Sequence, residues 1–213
     1  EQPNDYQWFY NQELKLKKEK QYNAAVRNFK KAIEINEKHL DSYIQIAMIH
    51  KINKENAKIV EICNKAVSAG ILENQIYYRR GAAYLGLKKY DEALADCNKA
   101  LEFDEKDFKS LFNRCVIYSK TNNFAMAVAD FDKVFEINNK YNSVYYQRGV
   151  AYKKAGEYDK ALVDIEKYLS FYPRSKNGLK NKEEIEKLLR EKSVKVNSAD
   201  NSEDDNAEDS SED

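Results

Sequence analysis

The chain has 213 residues, 34% of them charged, with 36 Lys and Arg against 36 Asp and Glu and only eight Gly and Pro together. This is a helix-rich balance with few breakers, no apolar run reaches membrane-spanning length, and three cysteines at scattered positions do not make a disulfide framework. The zero net charge is unevenly placed: eight acids and no base lie between Asp200 and Asp213, so residues 1–199 hold 36 bases against 28 acids, a net of +8.

A register of 34 residues runs from Tyr6 to Ser175. It carries Gly81 onto Cys115 and Gly149, Tyr84 onto Tyr118 and Tyr152, and Ala93 onto Ala127 and Ala161. Backwards it carries Cys97 onto Cys63 and Phe29, and Ala100 onto Ala66 and Ala32. Small and aromatic residues at this period predict stacked helix-turn-helix units, each burying its apolar face against its neighbours.

In chain order, residues 1–5 form a leader whose Asp5 can cap a first helix. The first repeat spans 6–39. Its first helix places Glu13 in a small-residue column, as suits a terminal unit, and its second, Asn23–Ile35, aligns Ala25, Phe29, Ala32 and Ile33 on one face. The second repeat, 40–73, sets Tyr43, Ile46, Ala47 and His50 against Ile59, Cys63, Ala66 and Val67, and closes at Gly70, a residue able to take the left-handed turn at a helix end. The third, fourth and fifth repeats span 74–107, 108–141 and 142–175.

Within the last three repeats, Arg80, Arg114 and Arg148 share one column and Asp96, Asp130 and Asp164 another, which predicts ion pairs between facing helices. Asn23, Asp91 and Asp159 share an offset suited to capping second helices, and Asn122-Asn123 and Gly156-Glu157 mark breaks. Residues 176–193 predict a capping helix with Leu179, Ile185, Leu188 and Leu189 apolar. Residues 194–213 form an acidic tail too poor in apolar groups to order itself; it could mask a basic groove, and Ser202 and Ser210 each stand three positions before an acid, resembling acidophilic kinase sites.

The period and its residues resemble the tetratricopeptide repeat, most closely in the third and fifth units. The resemblance covers about four-fifths of the chain. It implies an all-α, right-handed superhelical solenoid of five repeats with a C-terminal capping helix, whose first helices line a concave groove. Carried onto this chain, one inward column reads Tyr10, Ile44, Tyr78, Phe112 and Tyr146, and a second reads Leu14, Met48, Ala82, Val116 and Val150. Polar columns beside them supply Lys51, Arg79, Lys109, Asn113 and Lys153, with Lys120 and Lys154 next to the last of these columns. The implied peptide-binding set is Tyr10, Tyr78, Arg79, Lys109, Phe112, Asn113, Lys120, Tyr146, Lys153 and Lys154.

No catalytic constellation is present. His39 stands at a junction and His50 in a packing column, no Cys pair has zinc-ligand spacing, and the six glycines form no phosphate-cradling loop. The expectation is a non-enzymatic protein-interaction scaffold or adaptor, without cofactor or metal, binding a protein or peptide that combines apolar and acidic residues. The two-carboxylate clamp of some chaperone-docking relatives is not matched, since its Lys column holds Tyr10, Ile44, Tyr78, Phe112 and Tyr146. Two alternatives stand: a nucleic-acid-associated helical repeat, drawing on the +8 body, and a co-chaperone or envelope assembly or secretion factor. Cysteines that read as buried thiols favour the cytoplasm, with a periplasmic or secreted location after signal removal as the alternative.

Overall fold

The computed structural model describes residues 21–137 and 142–204, with side chains as far as residue 194. Every regular element among the described residues is an α-helix: α1 Tyr22–Ile35, α2 Leu40–Ile52, α3 Asn56–Ser68, α4 Asn74–Gly86, α5 Tyr90–Phe103, α6 Phe108–Lys120, α7 Phe124–Ile137, α8 Ser143–Ala155, α9 Tyr158–Phe171 and α10 Lys176–Asp204. The first expected helix, with Tyr10, lies outside the described residues. Two compact units divide the chain after Thr121.

In the first unit each helix packs on the next in sequence, and α4 also touches α2 and α6. Consecutive helices therefore alternate between two layers, with α2, α4 and α6 in one. The small columns explain the close approach. Ala25, Ala32, Ala66, Ala93 and Ala100 are fully buried, beside Phe29, Cys63 and Cys97 in the bulky column. At Gly81 an added Cβ would stand 3.2 Å from Asp96 Cβ and 3.3 Å from the Ala93 carbonyl oxygen, so α4 and α5 approach closely enough there that a side chain would press on both. The cysteines are all buried, and burial pushes the Cys63 thiol up to about 12, which keeps it protonated and unreactive.

In the second unit α7, α8, α9 and α10 stack in order, and α10 also reaches α8. Ile185 of α10 is fully buried against Ile165, Ala161 and Tyr152, with Leu189 packed beside them. Leu179, expected in the same stripe, is 50% exposed. The helix also continues past residue 193 to Asp204, since no glycine or proline interrupts it. The remainder of the acidic tail, 205–213 with Ser210, lies outside the described residues.

The turns between the paired helices repeat one backbone feature. Lys54, Lys88, Asn122 and Gly156, at 34-residue intervals, all have positive φ, between 59° and 82°. The breaks expected at Asn122 and Gly156 are present, and Gly70 likewise is left-handed. The expected caps fall elsewhere: α1, α5 and α9 open at Tyr22, Tyr90 and Tyr158, placing Asn23, Asp91 and Asp159 inside the first turn. Asp91 and Asp159 there favour the positive end of the helix dipole instead of capping it.

The arginine and aspartate columns meet at Arg80 with Asp96 and at Arg148 with Asp164. Arg80 donates from Nε and Nη2 to Asp96 at 2.8 and 2.7 Å and from Nη1 to Asn64 at 2.8 Å. Arg148 repeats this with Asp164 at 2.7 and 2.8 Å and Asp132 at 2.7 Å, its guanidinium 4.2 Å from the Phe135 ring centre. Arg114 bonds Asn98 at 2.8 Å. Burial pulls the Arg148 pKa down, but the bonds to Asp164 and Asp132 outweigh it and leave it above the usual value. Each arginine thus ties its own repeat's second helix, or the preceding repeat's, to its own helix.

Candidate functional site

Six residues of the expected set stand on α4 and α6, namely Tyr78, Arg79, Lys109, Phe112, Asn113 and Lys120, and the geometry around Tyr78 is the most developed. Its ring is half-buried and flanked by two cations, the Arg79 guanidinium 5.6 Å and the Lys109 ammonium 5.3 Å from its centre. Such contacts hold a positive charge against an aromatic face. Beside them opens a cavity of about 470 Å³ in the first unit, its apolar walls formed by Ala47, Met48 and Ile52 of α2, Ile59 of α3, and Ala82 and Ala83 of α4. Its polar lining is Lys51, Asn56, Tyr78, Arg79 and Lys109, with no carboxylate.

Arg79 is unusual for an arginine in such a position. It donates to the Gln75 carbonyl at 3.0 Å and to the Gln75 side chain at 3.4 Å, and has no carboxylate partner among the described residues. Burial lowers its pKa from the ordinary value, whereas the bonds from its neighbour Arg80 to Asp96 raise that of Arg80. Lys51 and Lys109, both exposed, have no carboxylate partner among the described residues either.

The other expected residues are placed as follows. Phe112 is half-buried on α6 and stacks on Phe108 at 6.3 Å. Asn113, one turn beyond Lys109 on the same helix, has an amide nitrogen sealed from solvent with no hydrogen-bond partner. Lys120 is exposed in the last turn of α6, and Lys154 in the last turn of α8. Tyr146 and Lys153 meet side chains of α10 instead of an open cavity. The Tyr146 hydroxyl accepts from Asn181 at 3.2 Å and its ring lies 5.0 Å from that of Tyr168. The Lys153 ammonium, 12% exposed, donates to Asn181 at 2.5 Å and to Glu184 at 2.7 Å.

Ile44, the Tyr78 column's member on α2, is buried in the core. Ile52 and Asn56 line the cavity as well: Ile52 stands in the column of Lys120 and Lys154, which was read for its lysines, and Asn56 opens α3 in the column of Tyr22 and Tyr90, which was read as packing. Met48 and Lys51 were legible as column members and do line it. His50 is buried and bonds Glu55 at 2.7 Å across the same turn, while Lys58 bonds Glu55 at 2.5 Å. These two bonds, Lys58 first, lower Glu55 to about 2. Among the described residues no group of three His, Cys, Asp or Glu could hold a metal ion, and no helix is long and apolar enough to cross a membrane.

Comparison with known proteins gives a consistent result for the fold. One model of the tetratricopeptide repeat matches residues 75–107 and 143–175, and another matches 16–39 and 108–141, together more than half of the chain. Comparison with curated protein sequences finds no match. Among solved structures the chain is similar to YrrB, described as a tetratricopeptide repeat protein with an unusual peptide-binding site, at a TM-score of 0.73 and 20% identity, covering 84% of this chain and 93% of that one. It is similar to PilF of Pseudomonas aeruginosa at 0.71 and 16%, covering 90% and 87%. A third is the first tetratricopeptide repeat region of Spaghetti bound to an HSP90 peptide, at 0.53 and 24%, covering 55% and 94%.

Proposed function

Because the chain belongs to the tetratricopeptide repeat family, whose members generally mediate protein–protein interaction, we propose that it is a non-enzymatic scaffold that holds a partner peptide in the cavity between α2, α4 and α6. The observation that carries this reading is the cavity itself: about 470 Å³, apolar along Met48, Ile52 and Ala82, edged by Lys51, Arg79 and Lys109, and free of carboxylates. Concave sites that are mostly apolar with a few convergent polar groups are the usual form of a binding pocket. A half-buried aromatic ring between two cations suits a segment that combines apolar and acidic side chains. YrrB and Spaghetti, similar in fold, are peptide-binding proteins by their descriptions, which supports the class of ligand without naming it.

Lys120, Lys153, Lys154, Phe112 and Tyr146 enter this reading differently. Tyr146 and Lys153 serve to dock α10 in the second unit, so the proposed contacts concentrate on Tyr78, Arg79 and Lys109. The test is affinity capture from source lysate with the full chain, with and without nuclease, beside Tyr78→Ala and Lys109→Gln variants. Proteins that survive nuclease and are lost with either variant support the groove. Retention that collapses with nuclease supports the nucleic-acid reading instead, and equal retention by all three chains places binding on another face. A captured chaperone or envelope component would decide between the more specific roles.

A further inference from the structure

Two adjacent arginines of α4 have opposite surroundings. Arg80 is saturated by Asp96 and Asn64. Arg79 is half-buried, depressed in pKa by that burial, and has no carboxylate among the described residues. A guanidinium taken partly out of water without a counter-charge is costly unless something else supplies one. Lys109 faces the same ring, and one turn on, Asn113 holds a buried donor with no acceptor.

The second unit shows what such groups take when they are satisfied. Tyr146 stands two repeats on from Tyr78, and Asn181 two repeats on from Asn113. There the amide donates to the tyrosine hydroxyl at 3.2 Å. Lys153, in the column of Lys51, takes the Glu184 carboxylate at 2.7 Å, and the next residue along, Ile185, is fully buried. An acid followed by a bulky aliphatic is thus the chemistry these columns accept from α10. In the first unit, Lys51 and Asn113 lack those partners.

Resting on the groove reading above and narrowing it, we propose that Arg79 and Lys109, with Lys51 across the cavity, form an anion subsite that selects side-chain carboxylates of an internal acidic peptide segment. Its bulky aliphatic side chain seats on Met48 and Ile52. Arg79 is the specificity-determining residue, since its charge is the one partly removed from water. The carboxylates come from side chains because the cations are dealt one to a helix, Lys51 on α2, Arg79 on α4 and Lys109 on α6. A segment crossing all three needs acids on both sides of its apolar anchor, and a chain terminus supplies a carboxylate on one side alone.

The test uses the full chain and short fluorescent peptides read by anisotropy: one with glutamates flanking a single leucine, its glutamine counterpart, the acidic peptide with an amidated C-terminus, and a peptide of residues 200–213. The glutamine peptide should bind at least about tenfold more weakly than the acidic one, the worth of one charge-assisted bond. Amidation should leave affinity unchanged, and the leucine-free 200–213 peptide should bind at least about tenfold more weakly. Arg79→Gln should weaken the acidic peptide about ten- to hundredfold and leave the glutamine peptide unmoved. Lys109→Gln, at an exposed position that cannot unfold the chain, should weaken it less, and Lys99→Gln on the outer helix α5 should change it less than about twofold. Equal binding of acid and amide peptides, loss on amidation, tight binding of 200–213, indifference to Arg79→Gln, or no binding by any peptide each overturns the proposal. If capture from lysate still depends on Tyr78 in that event, the groove reading stands and only the subsite falls; if it does not, both fall.

Discussion

Replacing Asp164 by alanine tests whether the arginine columns hold the repeats together. Asp164 is 4% exposed at its side chain and accepts two bonds from Arg148, which is 19% exposed. Removing one member of a fully buried pair costs about 3–5 kcal/mol, most of it for the stranded charge. Arg148 would not be stranded completely, since Asp132, 49% exposed, and the Phe135 ring remain. That lowers the expectation to about 2–3 kcal/mol. Glu166→Ala is the comparison: it removes an exposed bond from the same helix, α9, to Lys182 of α10 and should cost less than about 1 kcal/mol. Urea melts followed by circular dichroism, with hydrogen exchange on α8 and α9 to localise the loss, measure both. In an Arg148→Met background Asp164→Ala should become neutral or stabilising, because the carboxylate is then the unpaired group, giving a coupling of about 2 kcal/mol or more. A cost for Asp164→Ala no larger than that of Glu166→Ala, or a coupling near zero, would refute the reasoning.

Three further outcomes follow from the same geometry. Lys88→Gly relieves a left-handed lysine and should stabilise by up to about 1 kcal/mol after the added flexibility of the unfolded chain is subtracted, seen as a higher urea midpoint with unchanged slope. Ile185→Ala empties a fully buried position between α10 and α9 and should cost about 2–5 kcal/mol, with exchange protection lost first in 176–192. Glu55 has its pKa lowered to about 2 by Lys58 and then His50. A depressed carboxylate contributes stability that is full above its unfolded value of about 4.5 and lost as pH falls through about 2. A Glu55→Gln variant should therefore show a flatter fall of Tm across that window, and superimposable profiles would count against the bonded geometry.

Much of the fold was legible because the packing constraint is repeated. A small residue recurs wherever two helices approach closely, as at Ala93 and Gly81, and the contact of Arg80 with Asp96 returns at Arg148 and Asp164 because the same two helix faces meet again two repeats later. What escaped the sequence has local causes. Lysine carries no preference for positive φ, so Lys54 and Lys88 gave no sign of the conformation that Gly156 advertises. The caps were misplaced by two residues because Gln21, Lys89 and Glu157 precede α1, α5 and α9 without a side-chain cap. Of the candidate site, Tyr78, Arg79 and Lys109 could be named from their columns. That α10 would take up Tyr146 and Lys153 could not, because a column gives the direction of a side chain and not what comes to meet it.

Arg80, Arg114 and Arg148 each reach back to a second helix of the preceding repeat, but not to the same kind of acceptor: Asn64 and Asn98 are neutral amides, whereas Asp132 is charged. In a repeat chain the free energy of a boundary between a folded and a frayed segment is set by such neighbour-to-neighbour links. All three links have a charged donor, but only that of Arg148 to Asp132 also has a charged acceptor, and the attraction between the two ions makes it the strongest of the three. Unravelling that begins in the second unit should therefore carry α7 with α8 and α9 as a block, whereas within the first unit an opening can come to rest between one repeat and the next.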